Sequence, residues 1–417
     1  MIASHTSRII HKVILMGFVI DKGDRRKNMN KEAIDSIYSQ VSIKDGKKAI
    51  ENILLDIYFK PGISTKEIAR KTLLPLPIVA AIKKEFIKTG LIEQNRGVNC
   101  TPRGMRFVEH TMGYGHLNRT LYQRLKHEPW HPDDLHDMMS KLEGVFENRP
   151  QVDVTIDQSR CTLETSLKRA VLALQHEVLI GRDIVCLGDD DLVSVSLAFL
   201  LKQLFRQNAH KSNTRIHVFE IDKRIISYVN YVAESENLPI VCYEMDFREQ
   251  LPSEFLRRFD CVFTDPPYTL QGLSLFVSRG IQLLKQEIGL PIFLSFAHKS
   301  PDFALEMQRE FSRMGLLVTS VLPRFNQYLG AEIIGNTSQM IVLQSTEETK
   351  ESIARDYRDA LYTGEVRRTI RAYECKRCSL VTEVGFQMQW QTIEQLKQKG
   401  CPSCRHDSFE LIQKKNA

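Results

Sequence analysis

Residues 183–191 read Asp183-Ile184-Val185-Cys186-Leu187-Gly188-Asp189-Asp190-Asp191, a short apolar run closed by one glycine and three consecutive carboxylates. Similar apolar runs recur at 215–220, 240–244, 260–264, 292–296, 317–322 and 339–343, and segments of helical length and amphipathic pattern separate the first six. That alternation predicts a doubly wound, mostly parallel sheet, because each crossover helix must pack back on the sheet before the next strand begins. Nothing helical separates the last two runs, so the final strand is expected to pair antiparallel with its predecessor.

The pattern is that of a class I methyltransferase-like Rossmann sheet, an α/β fold expected over residues 151–346. In such a sheet ligands bind beyond the carboxyl ends of the strands. Four features fall there: Gly188 to Asp191 after the first strand, Glu220 and Asp222 after the second, Asp246 after the third, and Asp265-Pro266-Pro267-Tyr268 after the fourth. Glu220, 32 positions beyond Gly188, is suited to accept from ribose hydroxyls. Asp222 suits either the same nucleoside or a helix N-cap. The first loop lacks the several glycines that let backbone N–H groups approach phosphate or carboxylate. Its three aspartates repel one another and call for a compensating cation, with magnesium or a polyamine as candidates. In the fourth loop two prolines fix the chain and remove competing N–H donors. Asp265 and the Pro266 carbonyl can then accept from one nitrogen while Tyr268 packs over it.

Charge is unevenly spread. The chain of 417 residues carries a formal net charge of +6. Residues 51–110 hold ten Lys/Arg and six Asp/Glu, whereas residues 181–270 hold ten against fourteen. The acidic crevice therefore suits a cationic ligand and opposes a phosphate backbone. A hydrophobic fraction of 42% excludes a disordered tail, and the apolar stretch Ile9 to Ile20, broken by His11 and Lys12, is too short for a bilayer. It also makes a poor signal peptide, which points to the cytoplasm. Met29 is an alternative start.

Residues 48–112 read as helix, helix, helix and hairpin, a winged helix: Ser64 and Glu67 are spaced as a capping box, Ile78, Ile82 and Phe86 form one stripe, and Asn95-Arg96-Gly97 makes the turn. Lys83, Lys84 and Lys88 lie off that stripe, where they suit either a DNA-reading helix or a solvated face. Residues 1–47 form an N-terminal extension, and 113–150 a linker with one helix. In the C-terminal module, 347–417, Cys375, Cys378, Cys401 and Cys404 make two C-x2-C knuckles 22 residues apart. That spacing points to a closed structural zinc site. The module is expected to fold on its own metal, leaving a core that ends near residue 346.

The Asp265 to Tyr268 loop resembles that of methyltransferases acting on amino groups of adenine or cytosine. Combined with Gly188-Asp189-Asp190-Asp191, the chain more closely resembles the branched-chain polyamine synthases, the N(4)-bis(aminopropyl)spermidine synthases. The likeness runs through 155–159, 162–166, Phe296-Ala297-His298-Lys299 and Phe325 to Glu332, and covers roughly residues 48–346. It implies transfer of aminopropyl groups from decarboxylated S-adenosylmethionine to the central nitrogen of spermidine, with methylthioadenosine released. It casts Asp189, Asp190 and Asp265 as catalytic; Gly188, Asp191, Glu220, Asp222 and Asp246 as donor-binding; and Pro266, Pro267, Tyr268, His298, Tyr328 and Glu332 as acceptor-binding. Linear polyamines are the implied partners and a homodimer is compatible with it. Two other readings stay open: a DNA or RNA amino-methyltransferase with a winged-helix reader, and a polyamine-sensing regulator.

Overall fold

The computed structural model describes residues 24–416 apart from 42, 129–130, 207, 332–333, 367–368, 386–387 and 391. The apolar stretch Ile9 to Ile20, Trp130 and the site candidate Glu332 lie outside the described residues. The chain divides into two compact units, Met1–Met112 and Gly113–Ala417.

The first unit holds helices α1 (Asp24–Val41), α2 (Lys47–Phe59), α3 (Thr65–Thr72) and α4 (Leu76–Lys88), followed by the antiparallel hairpin β1 (Ile92–Gln94) and β2 (Val98–Cys100). Helix α3 starts where the Ser64 side chain accepts from Glu67 N at 3.1 Å, supplying a partner to an otherwise orphan helix N–H. On α4 the buried side chains are Val79, Ile82 and Phe86, so Val79 takes the place expected of Ile78, which is only half-buried. The hairpin turn needs glycine: Gly97 has φ +118°, and a Cβ there would sit 2.5 Å from the Gly62 carbonyl oxygen. Lys83 is tied to Thr65 Oγ1 and Gln94 Oε1, and Lys88 to Glu85.

The second unit begins with two helices, α5 (Arg119–His127) and α6 (His136–Glu147), where one helix was expected. Its main sheet has strands β3 (Arg160–Cys161), β4 (Asp183–Leu187), β5 (Arg215–Glu220), β6 (Ile240–Glu244), β7 (Cys261–Thr264), β8 (Pro291–Ala297), β9 (Leu316–Leu329) and β10 (Thr337–Ser345). Their order is β3-β9-β10-β8-β7-β4-β5-β6. Strands β4 to β8 run parallel, and β10 inserts antiparallel between β8 and β9. The expected antiparallel partner of β10 is thus found, but β10 also pairs with β8. Helices α7 (Leu163–Gln175), α8 (Val193–Leu204), α9 (Lys223–Glu236), α10 (Leu270–Leu283) and α11 (Pro301–Arg313) cover the sheet. Fully buried Val185, Leu187, Val262, Ile292 and Leu294 on the strands pack with Leu273 and Val277 of α10 in one core, as strands buried on both faces require.

Because β5 and β7 flank β4 on opposite sides, the direction of winding reverses there, which opens the crevice at the carboxyl ends of β4 and β7. Beyond β10 the chain does not leave the core. Ser352 N and Ile353 N donate to Ser278 Oγ, and fully buried Arg279 donates from Nη2 to the Arg355 carbonyl at 2.9 Å. Arg248 forms an ion pair with Glu365 at 2.7 Å. Residues 351–366 are therefore a strap on α10. Past the strap comes a three-stranded antiparallel sheet of order β12-β11-β13, made of β11 (Thr369–Cys375), β12 (Val381–Val384) and β13 (Phe409–Asn416), with helix α12 (Ile393–Lys399). Among the described residues no helix is long and apolar enough to cross a membrane.

Candidate active site

A cavity of about 610 Å³ opens at the carboxyl ends of β4, β5 and β7, within the size range of small-molecule sites. Gly188, Asp190, Glu220, Asp246 and the Asp265 to Tyr268 loop line it, joined by Gln158 and Ser159 from the segment before β3, by Lys299, and by Leu361 to Thr363 of the strap.

The three aspartates have three different fates. Asp189 is 1% exposed and caps α8: its Oδ1 accepts from Ser194 N at 3.1 Å and its Oδ2 from Ser194 Oγ. It does not line the cavity, and burial pushes its carboxyl up to about 7. Asp191 also turns away. Its Oδ1 accepts from Cys161 N at 2.7 Å and its Oδ2 from Arg169 Nη1 at 2.7 Å. Only Asp190 faces the cavity, with one oxygen held by Ser159 N at 3.0 Å. Burial, then the charges of Asp191, Glu220 and Asp265, raise the Asp190 carboxyl well above the usual carboxylate range. The expectation that magnesium or a polyamine compensates all three aspartates is thereby corrected, since the cation beside Asp191 is Arg169.

Arg169, on α7, is the residue that the sequence reading missed. It is 2% exposed and its guanidinium meets Asp191, Asp265 Oδ2 at 3.1 Å, Asn326 Oδ1 at 2.9 Å and the Tyr328 hydroxyl at 3.2 Å. Tyr328 donates to Asp265 Oδ2 at 2.6 Å and lies 3.1 Å from the Tyr268 hydroxyl. The long strand β9 carries both Asn326 and Tyr328, and the two-residue strand β3 pairs with its end, Cys161 opposite Tyr328. Burial raises the Asp265 carboxyl to about 6, against the pull of Arg169, which favours its charged form.

Glu220 is 4% exposed and accepts three backbone N–H groups, from Asp189 at 2.9 Å, Ile221 at 2.8 Å and Asp222 at 2.9 Å. Gly188, with φ +75°, brings its backbone close to this carboxylate: a Cβ there would lie 4.0 Å from Glu220 Oε2. Asp222 caps α9 through Arg224 N, pairs with the Arg224 guanidinium and accepts from Gln158 Nε2, off the cavity lining. His298 accepts from Arg324 N and does not line the cavity either. Its neighbour Lys299 does, donating to the Tyr268 carbonyl at 2.8 Å, with its ammonium 5.0 Å from the Phe303 ring centre. The strap seals one side: Thr269 Oγ1 donates to the Leu361 carbonyl, and Thr363 N to Asp157 Oδ2 at 2.6 Å.

In the C-terminal sheet the four sulfurs of Cys375, Cys378, Cys401 and Cys404 all lie within 4.8 Å of one another, with Cys375 to Cys404 at 3.5 Å and Cys378 to Cys401 at 3.6 Å. Zn–S bonds of about 2.3 Å place tetrahedral sulfurs ~3.8 Å apart, so the donor set fits zinc. These separations are far too long for disulfides.

The model of the family described as "Branched-chain polyamine synthase A C-terminal domain" matches residues 137–380. An uncharacterized protein of Methanocaldococcus jannaschii is 33% identical over 383 residues, covering 91% of this chain and 93% of its own length. The N(4)-bis(aminopropyl)spermidine synthase of the same organism is 29% identical over 297 residues, 70% of this chain and 80% of its own. A solved structure of the Thermus thermophilus branched-chain polyamine synthase, in complex with N4-aminopropylspermidine and 5'-methylthioadenosine, aligns over 80% of this chain and 97% of its own with a TM-score of 0.47 and 21% identity. With more than half of its length matched by the family model, the chain belongs to the branched-chain polyamine synthase family.

Proposed function

We propose that the protein is a polyamine aminopropyltransferase, which moves aminopropyl groups from decarboxylated S-adenosylmethionine to the central nitrogen of spermidine. The products are N(4)-aminopropylspermidine, then N(4)-bis(aminopropyl)spermidine, with methylthioadenosine released at each step. The observation that carries this reading is the convergence of Asp190, Glu220, Asp246 and Asp265 on one cavity. The donor bears an ammonium and a sulfonium and no carboxylate, and spermidine is polycationic, so carboxylates match both.

In the first transfer the neutral central amine attacks the aminopropyl carbon bound to sulfur. The C–S bond breaks with its electron pair going to sulfur, and the new ammonium passes its proton to a carboxylate. Asp265, ionised above about 6, is suited to that role. Asp190 holds a cationic group of the acceptor or donor, and Glu220 takes the ribose hydroxyls. In the second transfer the attacking nitrogen is tertiary and no proton leaves, so positioning and carboxylate stabilisation of the developing charge carry the step. Tyr268 shapes the acceptor side, whereas Tyr328, off the cavity lining, holds Asp265 from behind.

Residues 48–112 we read as a winged helix; the three helices before the hairpin, the hairpin and the Ile63 to Val98 bridge support it. The four cysteines hold one structural zinc, which folds the C-terminal sheet beyond the strap and takes no part in transfer. A reduced four-thiolate site accords with a cytoplasmic setting.

Mass spectrometry after incubation with each donor tests the function. A gain of one C3H7N unit per transfer onto spermidine supports aminopropyl transfer. A gain of CH2 from S-adenosylmethionine, on spermidine or nucleic acid, points to a methyltransferase. Because M. jannaschii holds both an uncharacterized relative and a named synthase, the acceptor panel should include longer linear polyamines.

A further inference from the structure

A buried cation inside a site for cations needs a physical reason. Each contact of Arg169 fixes something that is itself fixed. Asn326, which accepts from Nε, donates to Ser338 Oγ at 2.9 Å and to the Gln339 carbonyl at 3.2 Å. The Tyr328 hydroxyl, 3.2 Å from Nη2, lies 3.0 Å from the same Ser338 Oγ. The guanidinium is thus clamped between β9 and β10 on one side and two carboxylates on the other. Arg169 Nη2 and the Tyr328 hydroxyl both meet Asp265 on Oδ2, and the Tyr268 hydroxyl is a further hydrogen-bonding neighbour of this carboxylate.

We propose that Arg169 is a positioning residue for the transfer reaction: it engages one oxygen of Asp265 so that the other meets the acceptor amine, and it neutralises Asp191 so that only the carboxylates lining the cavity confront the polycation. The proposal rests on the aminopropyltransferase reading for its substrate. The planar fork of a guanidinium can satisfy two carboxylates, an amide and a phenol at once, whereas a lysine ammonium is a point charge on a flexible stem. Breaking a buried pair leaves an uncompensated charge, and here the charge would fall among carboxylates already crowded together. The groups facing Asp265 are Arg169 from α7, Asp190 and Asp191 from the loop after β4, Tyr328 from β9 and Tyr268 from its own loop. Of these only Arg169 favours the ionised carboxylate by its charge. Without it, Asp265 takes up a proton at higher pH and can no longer accept one from the amine.

The test compares the full chain with its Arg169→Lys and Arg169→Gln variants in three measurements: binding of 5'-methylthioadenosine by calorimetry, the pH profile of kcat with spermidine, and the titration of the Asp265 carboxyl by 13C NMR, assigned through Asp265→Asn. Arg169→Lys is expected to bind methylthioadenosine as the wild type does while kcat falls by ~10². In Arg169→Gln, the Asp265 titration and the acidic limb of kcat both move to higher pH. If Arg169→Gln does not fold, Asn326→Ala, which removes one clamp of the guanidinium and keeps its charge, is expected to lower kcat without altering methylthioadenosine binding. Unchanged kcat in Arg169→Lys, an unmoved Asp265 titration in Arg169→Gln, or loss of methylthioadenosine binding in step with kcat overturns the proposal. A wild type that transfers nothing to any polyamine overturns the functional reading instead, and the NMR titration still decides the role of Arg169.

Discussion

Asparagine at position 191 and asparagine at position 190 should give opposite results, although the two aspartates are adjacent in sequence and equally acidic on paper. Asp191 is 3% exposed, and both its oxygens are used, by Cys161 N and by the Arg169 guanidinium, each at 2.7 Å. In Asp191→Asn the amide can still accept from Cys161 N, but its NH2 then faces Arg169 or is left without an acceptor. Breaking a buried ion pair from one side costs about 3–5 kcal/mol. Asp265, 3.1 Å from the same guanidinium, retains part of the compensation, so the lower end, about 3 kcal/mol, applies. For the unit Gly113–Ala417 that is a fall of roughly 5 °C in melting temperature. Asp190 offers one oxygen to Ser159 N, and its ionised form is disfavoured by burial and three neighbouring carboxylates. Asp190→Asn should therefore melt at or above the wild-type temperature, while kcat/KM for spermidine drops by ~10² or more. Calorimetric melting beside steady-state kinetics checks both. Asp191→Asn melting with the wild type, or Asp190→Asn losing stability as much as Asp191→Asn, would refute this division of labour.

The pH dependence follows from the same burial. Asp265 must be ionised to take the amine proton, so kcat should fall as pH drops through about 6, and Asp265→Asn should lose both that limb and most of the rate, as turnover in buffers across this range will show. Asp189 has its folded-state pKa raised to about 7, so the stability it contributes is complete at low pH and is lost as pH rises through that value; Asp189→Asn, which keeps the cap to Ser194, should abolish this loss in urea titrations at different pH. Truncation after Ser345 removes the strap and leaves the carbonyl partners of Arg279 missing. At ~1 kcal/mol each, the two bonds to Ser278 Oγ, that of Arg279 Nη2 and that of Thr269 should together cost about 4 kcal/mol, to which loss of the Arg248–Glu365 pair adds, whereas truncation after Val366 should keep the core's stability and its methylthioadenosine affinity. Elemental analysis of reduced protein should find one zinc per chain, bound in full-length protein and absent after the Val366 truncation, and alkylation of all four cysteines at native pH with unchanged melting would count against the site.

The sequence by itself determined what local periodicity and strand-end chemistry can determine. Seven apolar runs with helical spacers specify the sheet, because strand and crossover lengths are local quantities. The rule that ligands sit beyond strand carboxyl ends then placed Asp190, Glu220, Asp246 and the Asp265 to Tyr268 loop near one crevice. The paired C-x2-C knuckles likewise told of a four-sulfur site, since their spacing is short enough to be read along the chain. Tertiary structure alone decided which aspartate faces the cavity. Adjacent side chains on a turn point in different directions, and only the packing of Ser194, Ser159 and Arg169 around the loop shows where each one goes. It also decided the part played by Arg169. That residue shares a helix face with Thr165, Leu172 and Ala173, a faint sign of burial, but its partners stand 22 to 159 positions away. The strap was hidden for the same reason: residues 351–366 carry almost no regular element, and their place is set by the buried donors of Arg279 and Thr269 and the acceptor oxygen of Ser278, which no pattern within the segment itself records.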